Sequence, residues 1–504
     1  MNKNGKKEDM PNCILIAADQ LRFDVLGKGY TPNIDALMKD SVRFSNAYCA
    51  SPLCVPARGA LFTGTYPGVN GSLINGWFPP EEPYSRVKEG TDHLYSVMER
   101  LGMECIHSGK QHLFVEGIPL EARPDTKTRW LTTEASYRAF VKGQGKRLPG
   151  GPLFTTPIPE MADGVHTTVC AYSNPHTGRY EGGYDCYFDG YFTNTAVKAL
   201  DGFAGEKPLF LSMMYVAPHP PFDIPDPWYS LVKTEDVELP DNVNRWYEHQ
   251  SPLQKYNLTG YIGSSYRLED WREAWRTYLG LVSLLDQCVG RIIGKLKEKD
   301  LYENSIIVFT SDHGEMLGSH CLFQKMCMYE ESAKTPFSIH LPGGRKKGTV
   351  REEFISHIDL FPTICDFYEV TPTGEVNGTS LKELLEETES FKERPVYIQY
   401  DGNGSRGNFQ RCVIWKNYKY IVDVFKDEYY LELYDLKNDR QETKNLLFEK
   451  EEDKKSRYWE AALELNRLLN SHLQEIQDDL ALLPWNPAEF LENYNFNRFC
   501  KGGF

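Results

Sequence analysis

Along most of the chain, short unbroken apolar runs alternate with longer stretches in which apolar residues recur every three or four positions. Cys13–Ala17 (CILIA), Met103–Ile106, Pro208–Val216 (PLFLSMMYV) and Ser305–Phe309 (SIIVF) are continuous runs, the pattern of strands covered on both faces. The clearest periodic stretch spans Trp271 to Lys299, where Trp271, Trp275, Tyr278, Val282, Leu285, Val289, Ile292 and Leu296 share one stripe. That spacing predicts a long amphipathic helix. Buried strands separated by such helices predict an α/β fold, with a mainly parallel central sheet sandwiched by helices.

After about residue 385 the pattern changes. Val396–Tyr400, Arg411–Trp415, Tyr418–Val424 and Tyr429–Tyr434 are short strand-like runs close together, with Lys416–Asn417 as a tight turn. A charged periodic stretch follows from Glu452 to Ile476. These features predict a smaller antiparallel sheet with one helix, dividing the chain into a catalytic unit over 1–385 and a C-terminal subdomain over 386–504.

Composition narrows the classes. With 71 acidic against 56 basic residues, the chain carries −15 and repels long polyanions, so nucleic acid is not the expected partner. An anionic substrate must then be met by a local group of cations. The 12 cysteines are scattered without a C-x-x-C pair or zinc spacing. No apolar run is long enough to span a bilayer, and the opening MNKNGKKEDMPN lacks the apolar core of a signal peptide. The expected location is cytoplasmic as the sequence stands, or periplasmic or secreted if a leader has been removed.

In open parallel sheets ligands bind beyond the carboxyl ends of the strands. There, CILIA leads to Asp19–Gln20 and MECI to His107-Ser-Gly-Lys110-Gln-His112. PLFLSMMYV leads to His219 and SIIVF to Asp312–His313. Each fragment alone reads as a turn or a helix cap. Together they deliver Asp19, Gln20, Asp312 and His313, donors suited to a divalent cation, alongside Arg58, Lys110, His112, His219 and Lys325, cations suited to an anion. A fifth fragment, SPLCVPARGALFTG, places Cys54 in a C-x-P-x-R frame where a helix could open.

Taken in order, these fragments resemble a type I sulfatase of the alkaline phosphatase superfamily. The resemblance rests on ILIAADQLRFDVLG, TPNIDAL, CVPARGALFTG, SGKQHL, APHPPF, SDHGEMLGSHCLFQK, MYEESAKTP, SHIDLFPTI and LYDLKNDRQETKNL, and covers nearly the whole chain. It implies that Cys54 is oxidised to Cα-formylglycine by a formylglycine-generating or anaerobic sulfatase-maturing enzyme. The hydrated aldehyde then attacks sulfur with one hydroxyl and expels sulfate with the other. The resemblance also implies metal ligation by Asp19, Gln20, Asp312 and His313, with residue 54 completing the set around one divalent cation. Calcium is the first choice, with manganese and magnesium open. Asp312 is in addition a candidate base for the nucleophile. Lys110 and Lys325 would hold sulfate oxygens, and His219, with Lys325, would protonate the leaving alcohol. His112 would take the second hydrate proton and Arg58 would orient the formylglycine. Asn75, in SLINGW, is either a substrate contact or a turn asparagine before glycine. Thr65 stands where the family often carries arginine, outside the C-x-P-x-R triplet.

The expected substrate is a small sulfate monoester, a mono- or oligosaccharide sulfate before a long polymer. Aryl or steroid sulfates are one alternative. A phosphonate monoester or phosphodiester hydrolase of the same superfamily is another, opposed by Lys110 and His112, where that relative typically has neutral Tyr and Thr. An unmodified, inactive homologue acting as a binding protein would need a lost catalytic group. Two surface readings accompany the site. Aromatics between Phe222 and Trp275 include stacking candidates for a sugar or aryl ring, with Trp271 and Trp275 assigned to core. The basic stretch from Arg123 to Arg147 is a candidate for steering anions.

Overall fold

The computed structural model describes residues 10–480, apart from 77–78, 117, 163–165, 387–390, 404–405, 426–427 and 479. Its centre is an eight-stranded sheet. In chain order the strands are β1 (Asn12–Asp19), β2 (Val42–Tyr48), β3 (Glu104–Gly109), β4 (Arg129–Trp130), β5 (Leu209–Pro218), β6 (Ser305–Ser311), β7 (Lys334–His340) and β8 (Val350–Ser356). Across the sheet they run β8-β2-β7-β6-β1-β5-β3-β4. Only β7 is antiparallel to its neighbours among these eight, so the sheet is mainly parallel, as the alternation predicts. β2, β7 and β8 were not legible as apolar runs because polar and charged residues interrupt them, as in VRFSNAY and VREEFIS.

β1 shows how the sheet is covered. Ile14, Ile16 and Ala18 belong to one buried cluster, with Trp271, Tyr278, Leu285 and Ile292 of the helix Leu268–Glu298. Cys13, Leu15 and Ala17 point to the other face and join Leu61, Phe62, Tyr95, Leu360 and Ile364. Alternate residues thus serve opposite layers, which is why the strand reads as a continuous apolar run.

The C-terminal strands Val396–Gly402, Arg406–Trp415, Tyr418–Phe425 and Glu428–Asp435 form an antiparallel meander in that order. Lys416 and Asn417 both have positive φ, at 51° and 66°, the geometry of a two-residue hairpin turn. The helix Glu452–Glu475 packs Leu465, Leu469 and Leu473 against this sheet. Several contacts bind the meander to the central unit: for example, Gln399 N donates to Ala50 O at 3.0 Å, and buried Lys419 donates to Met328 O at 2.8 Å. The expected boundary after residue 385 falls beside residues 387–390, outside the described residues. Among the described residues, no helix is long and apolar enough to cross a membrane.

Candidate active site

Sheet register brings the first groups together. β1 and β6 are parallel with Ala18 opposite Ser311, and Asp312 N donates to Ala18 O at 3.0 Å. Asp19 and Asp312 therefore leave neighbouring strands at the same level. On the other side of β1, Asp19 lies opposite Pro218, close to His219.

Lys110 arrives through β3. Gly109 has φ 125°, and a Cβ there would lie 1.9 Å from Met214 O, so only glycine fits. Lys110 N then donates to Met214 O at 2.8 Å, and its ammonium reaches Asp19 Oδ2 at 2.5 Å. Beneath it, His107 is buried against Tyr95 Oη at 2.9 Å.

Cys54 opens the buried helix Cys54–Thr63. Pro56 falls in its first turn, where a missing N–H costs no intrahelical bond. Arg58 stands one turn further on the same face. Its Nε donates to Asp312 Oδ2 at 3.0 Å and its Nη2 to Asp19 Oδ2 at 3.1 Å, so one guanidinium bridges both carboxylates. His313 Nε2 lies 3.3 Å from Cys54 Sγ. Single ligand atoms of Asp19, Cys54, Asp312 and His313 all fall within 4.8 Å of one another, and all four residues are buried. Two carboxylates, an imidazole and a sulfur position that can carry oxygen fit a divalent cation.

Gln20 is set apart from the other expected ligands. Its φ is 71°, and its backbone N donates to Asp312 Oδ1 at 3.1 Å. Its side-chain amide donates to Glu315, and its Oε1 accepts from Lys325 Nζ at 2.6 Å. Lys325 also meets His219 Nε2 at 3.2 Å. Glu315 is thus a site residue that sequence reasoning missed. It sits inside the SDHGEMLG block and accepts from Leu317 N and Gln324 N at 2.8 and 2.6 Å as well, which fixes the strand-end turn.

The charges act on one another. Burial opposes ionisation of Asp19, yet Lys110, His219, Arg58 and Lys325 hold it well below the ordinary carboxylate range. Burial and the Asp19 charge push Asp312 up. Burial and Asp19 also oppose a thiolate at Cys54, but Lys325, Lys110 and His313 outweigh them and pull its thiol well down. Burial and Lys325 lower His219. His112 is held far down by burial, Lys110 and Arg58, and its Nδ1 is buried without a hydrogen-bond partner.

These groups open into a pocket of about 400 Å³. Its lining includes the ionisable residues Cys54, Lys110, His112, His219 and Lys325. It also includes the neutral residues Asn75, Asn403, Gln324 and the segment Cys170–Ser173 of a two-stranded hairpin, Thr155–Ala162 with His166–Ser173. Arg58 is not among the lining residues. Asn403 and the hairpin were missed, since no local motif marks them, and Gln324 was passed over inside the SDHGEMLGSHCLFQK block. The expected aromatic platform is corrected: none of the aromatics between Phe222 and Trp275 is among the lining residues. Trp228, Trp271 and Trp275 are core, as was expected of the last two. Within the basic stretch, Arg123 pairs with Asp125, Arg129 with Glu104 and Arg147 with Asp223, and none of its cations is among the residues lining the pocket. His320, which had no expected role, stacks on Tyr329 with centroids 4.1 Å apart.

The sequence pattern of the sulfatase family matches residues 11–370. The chain belongs to the sulfatase family. Residues 318–469 also match the family described as N-sulphoglucosamine sulphohydrolase, C-terminal. This sulfatase is 27% identical over 460 residues to an arylsulfatase of Clostridium perfringens, covering 87% of this chain and 90% of that one. It is 25% identical over 488 residues to an N-acetylglucosamine-6-O-sulfatase of Bacteroides thetaiotaomicron, covering 89% and 83%. Its fold is that of the Agrobacterium radiobacter phosphonate monoester hydrolase, with TM-score 0.72, 23% identity and coverage of 91% and 96%. As a member of this family the protein is a sulfuric ester hydrolase, built on a mainly parallel sheet with a separate C-terminal antiparallel sheet.

Proposed function

We propose that this sulfatase hydrolyses a sulfate monoester of a mono- or oligosaccharide, with a formylglycine derived from Cys54 and one divalent cation. The observation that carries the reading is the convergence of the Asp19, Cys54, Asp312 and His313 cluster with Lys110, Lys325 and His219 at one pocket. The cation, calcium before manganese or magnesium, would be held by Asp19, Asp312, His313 and residue 54, with Gln20 adjacent. When bound, it supplies positive charge to the sulfate oxygens and to the attacking hydroxyl. A maturing enzyme is the required partner, because sulfur attack by a thiol would leave a stable thiosulfate-type adduct. The hydrated aldehyde carries two hydroxyls on one carbon and so can release its sulfate.

The chain's own residues then have distinct tasks. Arg58, fixed across both carboxylates, orients the opening of the helix. Lys110, at the end of β3, and Lys325, in the long loop after β6, line the pocket and hold sulfate oxygens as charge develops on them. Asp312, pushed up by burial and Asp19, is poised as a base for the nucleophile. His219 protonates the leaving alcohol. Burial and Lys325 lower that imidazole, and the negative charge of an arriving sulfate would offset Lys325 and favour the imidazolium. His112, with an unpartnered ring nitrogen, receives the proton released when the aldehyde reforms.

The relative named as an N-acetylglucosamine-6-O-sulfatase supports the sugar class. A phosphonate monoesterase reading is favoured by the shared fold alone. A panel of sugar monosulfates, nitrophenyl sulfate and an aryl phosphonate monoester tests the choice. The expected result is the highest kcat/KM on a sugar sulfate. A preference for the phosphonate would overturn it.

A further inference from the structure

Part of the neutral lining of the pocket is built from amides whose orientations are fixed. Asn75 N donates to Asn403 O at 2.9 Å, and Asn75 Nδ2 donates to Asn403 Oδ1 at 2.8 Å. Asn75 Oδ1 in turn accepts from Val55 N at 3.2 Å, at the opening of the nucleophile helix. Asn75 is therefore a clamp with both ends of its amide engaged. Among the described residues, the Asn403 side chain is engaged through its oxygen only. Its Nδ2 is the end left for a ligand, and the residue lines the pocket while being 4% exposed.

Gln324 shows the complementary arrangement. Its backbone N is held by Glu315 at 2.6 Å, and its Nε2 donates to Ser173 O at 2.9 Å. The end left for a ligand is the oxygen. The wall thus offers one fixed donor and one fixed acceptor, each buried and each oriented by a second residue. A hydroxyl is both donor and acceptor and satisfies such a pair; an aryl ring satisfies neither. Burying an apolar ring there would strip water from both amides without replacing its hydrogen bonds.

We propose that Asn403 and Gln324, oriented by Asn75 and Ser173, are specificity-determining residues that bind hydroxyl groups on the alcohol half of the substrate. The inference deepens the sulfatase reading and rests on it: it selects a polyhydroxylated ring over an aryl leaving group. It also gives the C-terminal sheet a task in the site, since Asn403 directly follows its strand Val396–Gly402.

The test compares matured wild-type protein with Asn403→Ala and Asn403→Asp on a panel of hexose and hexosamine monosulfates and on nitrophenyl sulfate. Asn403→Asp keeps the acceptor for Asn75 and removes the donor, so it decides the matter if the alanine variant folds poorly. The expected result in both is a fall of about 10-fold or more in the ratio of kcat/KM for the best sugar sulfate to that for nitrophenyl sulfate. Asn75→Ala, which also releases Val55, is expected to lower both substrates together. A constant ratio in the Asn403 variants overturns the inference. So does wild-type protein that hydrolyses nitrophenyl sulfate but no sugar sulfate. Protein that hydrolyses no sulfate ester overturns the proposed function first, and this inference with it.

Discussion

On the charged side of the division, Asp19, Cys54, Arg58, Asp312 and His313 are buried side chains at the ends of adjacent strands and the head of one helix, at and beneath the pocket. On the neutral side, the pocket-lining Asn75, Asn403, Gln324 and hairpin segment Cys170–Ser173 come from four separate parts of the chain. The first side is held by charge: Arg58 and Lys110 compensate two carboxylates that could not otherwise be buried together. The second is held by neutral hydrogen bonds between side-chain amides and backbone. A charged cluster of this kind suits bond breaking, which needs fixed fields where charge develops. A neutral wall of amides suits choosing among alcohols, and it can be rebuilt without disturbing the first side.

The largest effect expected from separating the two sides is at Asp312. Asp312→Ala removes the proposed cation ligand and candidate base, and should reduce turnover of every sulfate ester by about 10³-fold or more, several kcal/mol of transition-state stabilisation. Metal content measured on the purified variant should fall with it. Full metal occupancy would show that the cation sits elsewhere.

His219 lies on the seam. A sugar alkoxide needs a proton to leave, whereas nitrophenolate does not. His219→Ala should therefore slow sugar sulfates by about 10²–10⁴-fold, mostly in kcat, and nitrophenyl sulfate far less. Equal losses on both would make His219 a binding residue and move the acid to Lys325.

The smallest effect concerns the support under Lys110. Burial pushes His107 down to about 3, whereas an unfolded histidine titrates near 6.5. Below about 6.5 the unfolded chain takes up a proton that the folded chain refuses, so this contribution to stability is intact above that pH and falls as the pH drops. Its slope is about 1.4 kcal/mol per unit between about 6.5 and about 3. Denaturation midpoints between pH 8 and 5 should show this slope, and His107→Gln should flatten it by one proton's worth while lowering stability at pH 8. An unchanged slope in the variant would contradict the assignment.

The same division separates what was legible in the sequence from what was not. Asp19, His219 and Asp312 could be found because each directly follows an apolar run, and parallel strands release their ends toward one edge. Lys110 could be found because glycine precedes it at the end of another run. Gln20 and Glu315 lie in the same fragments, but that the Gln20 side chain bridges Lys325 and Glu315 depends on side-chain direction, which spacing does not carry. Of the neutral lining only Asn75 was a candidate from sequence; its partner Asn403 left no trace. Asn403 and Asn75 are 328 positions apart and meet only because the C-terminal meander docks along the segment after Ala50. Aromatic richness between Phe222 and Trp275 was misleading for a related reason. Trp228, a stacking candidate from composition, is buried in the core, and composition alone does not say which aromatics are covered.

The central claim is that catalysis depends on an aldehyde made from Cys54, and the mass of the peptide spanning that residue tests it most directly. Protein produced with and without a maturing enzyme should be assayed on nitrophenyl sulfate and then digested and weighed. The account predicts that turnover rises in proportion to the aldehyde form and that protein with an intact thiol, like Cys54→Ala, does not turn over. Full multiple turnover by protein in which Cys54 is entirely thiol would contradict it.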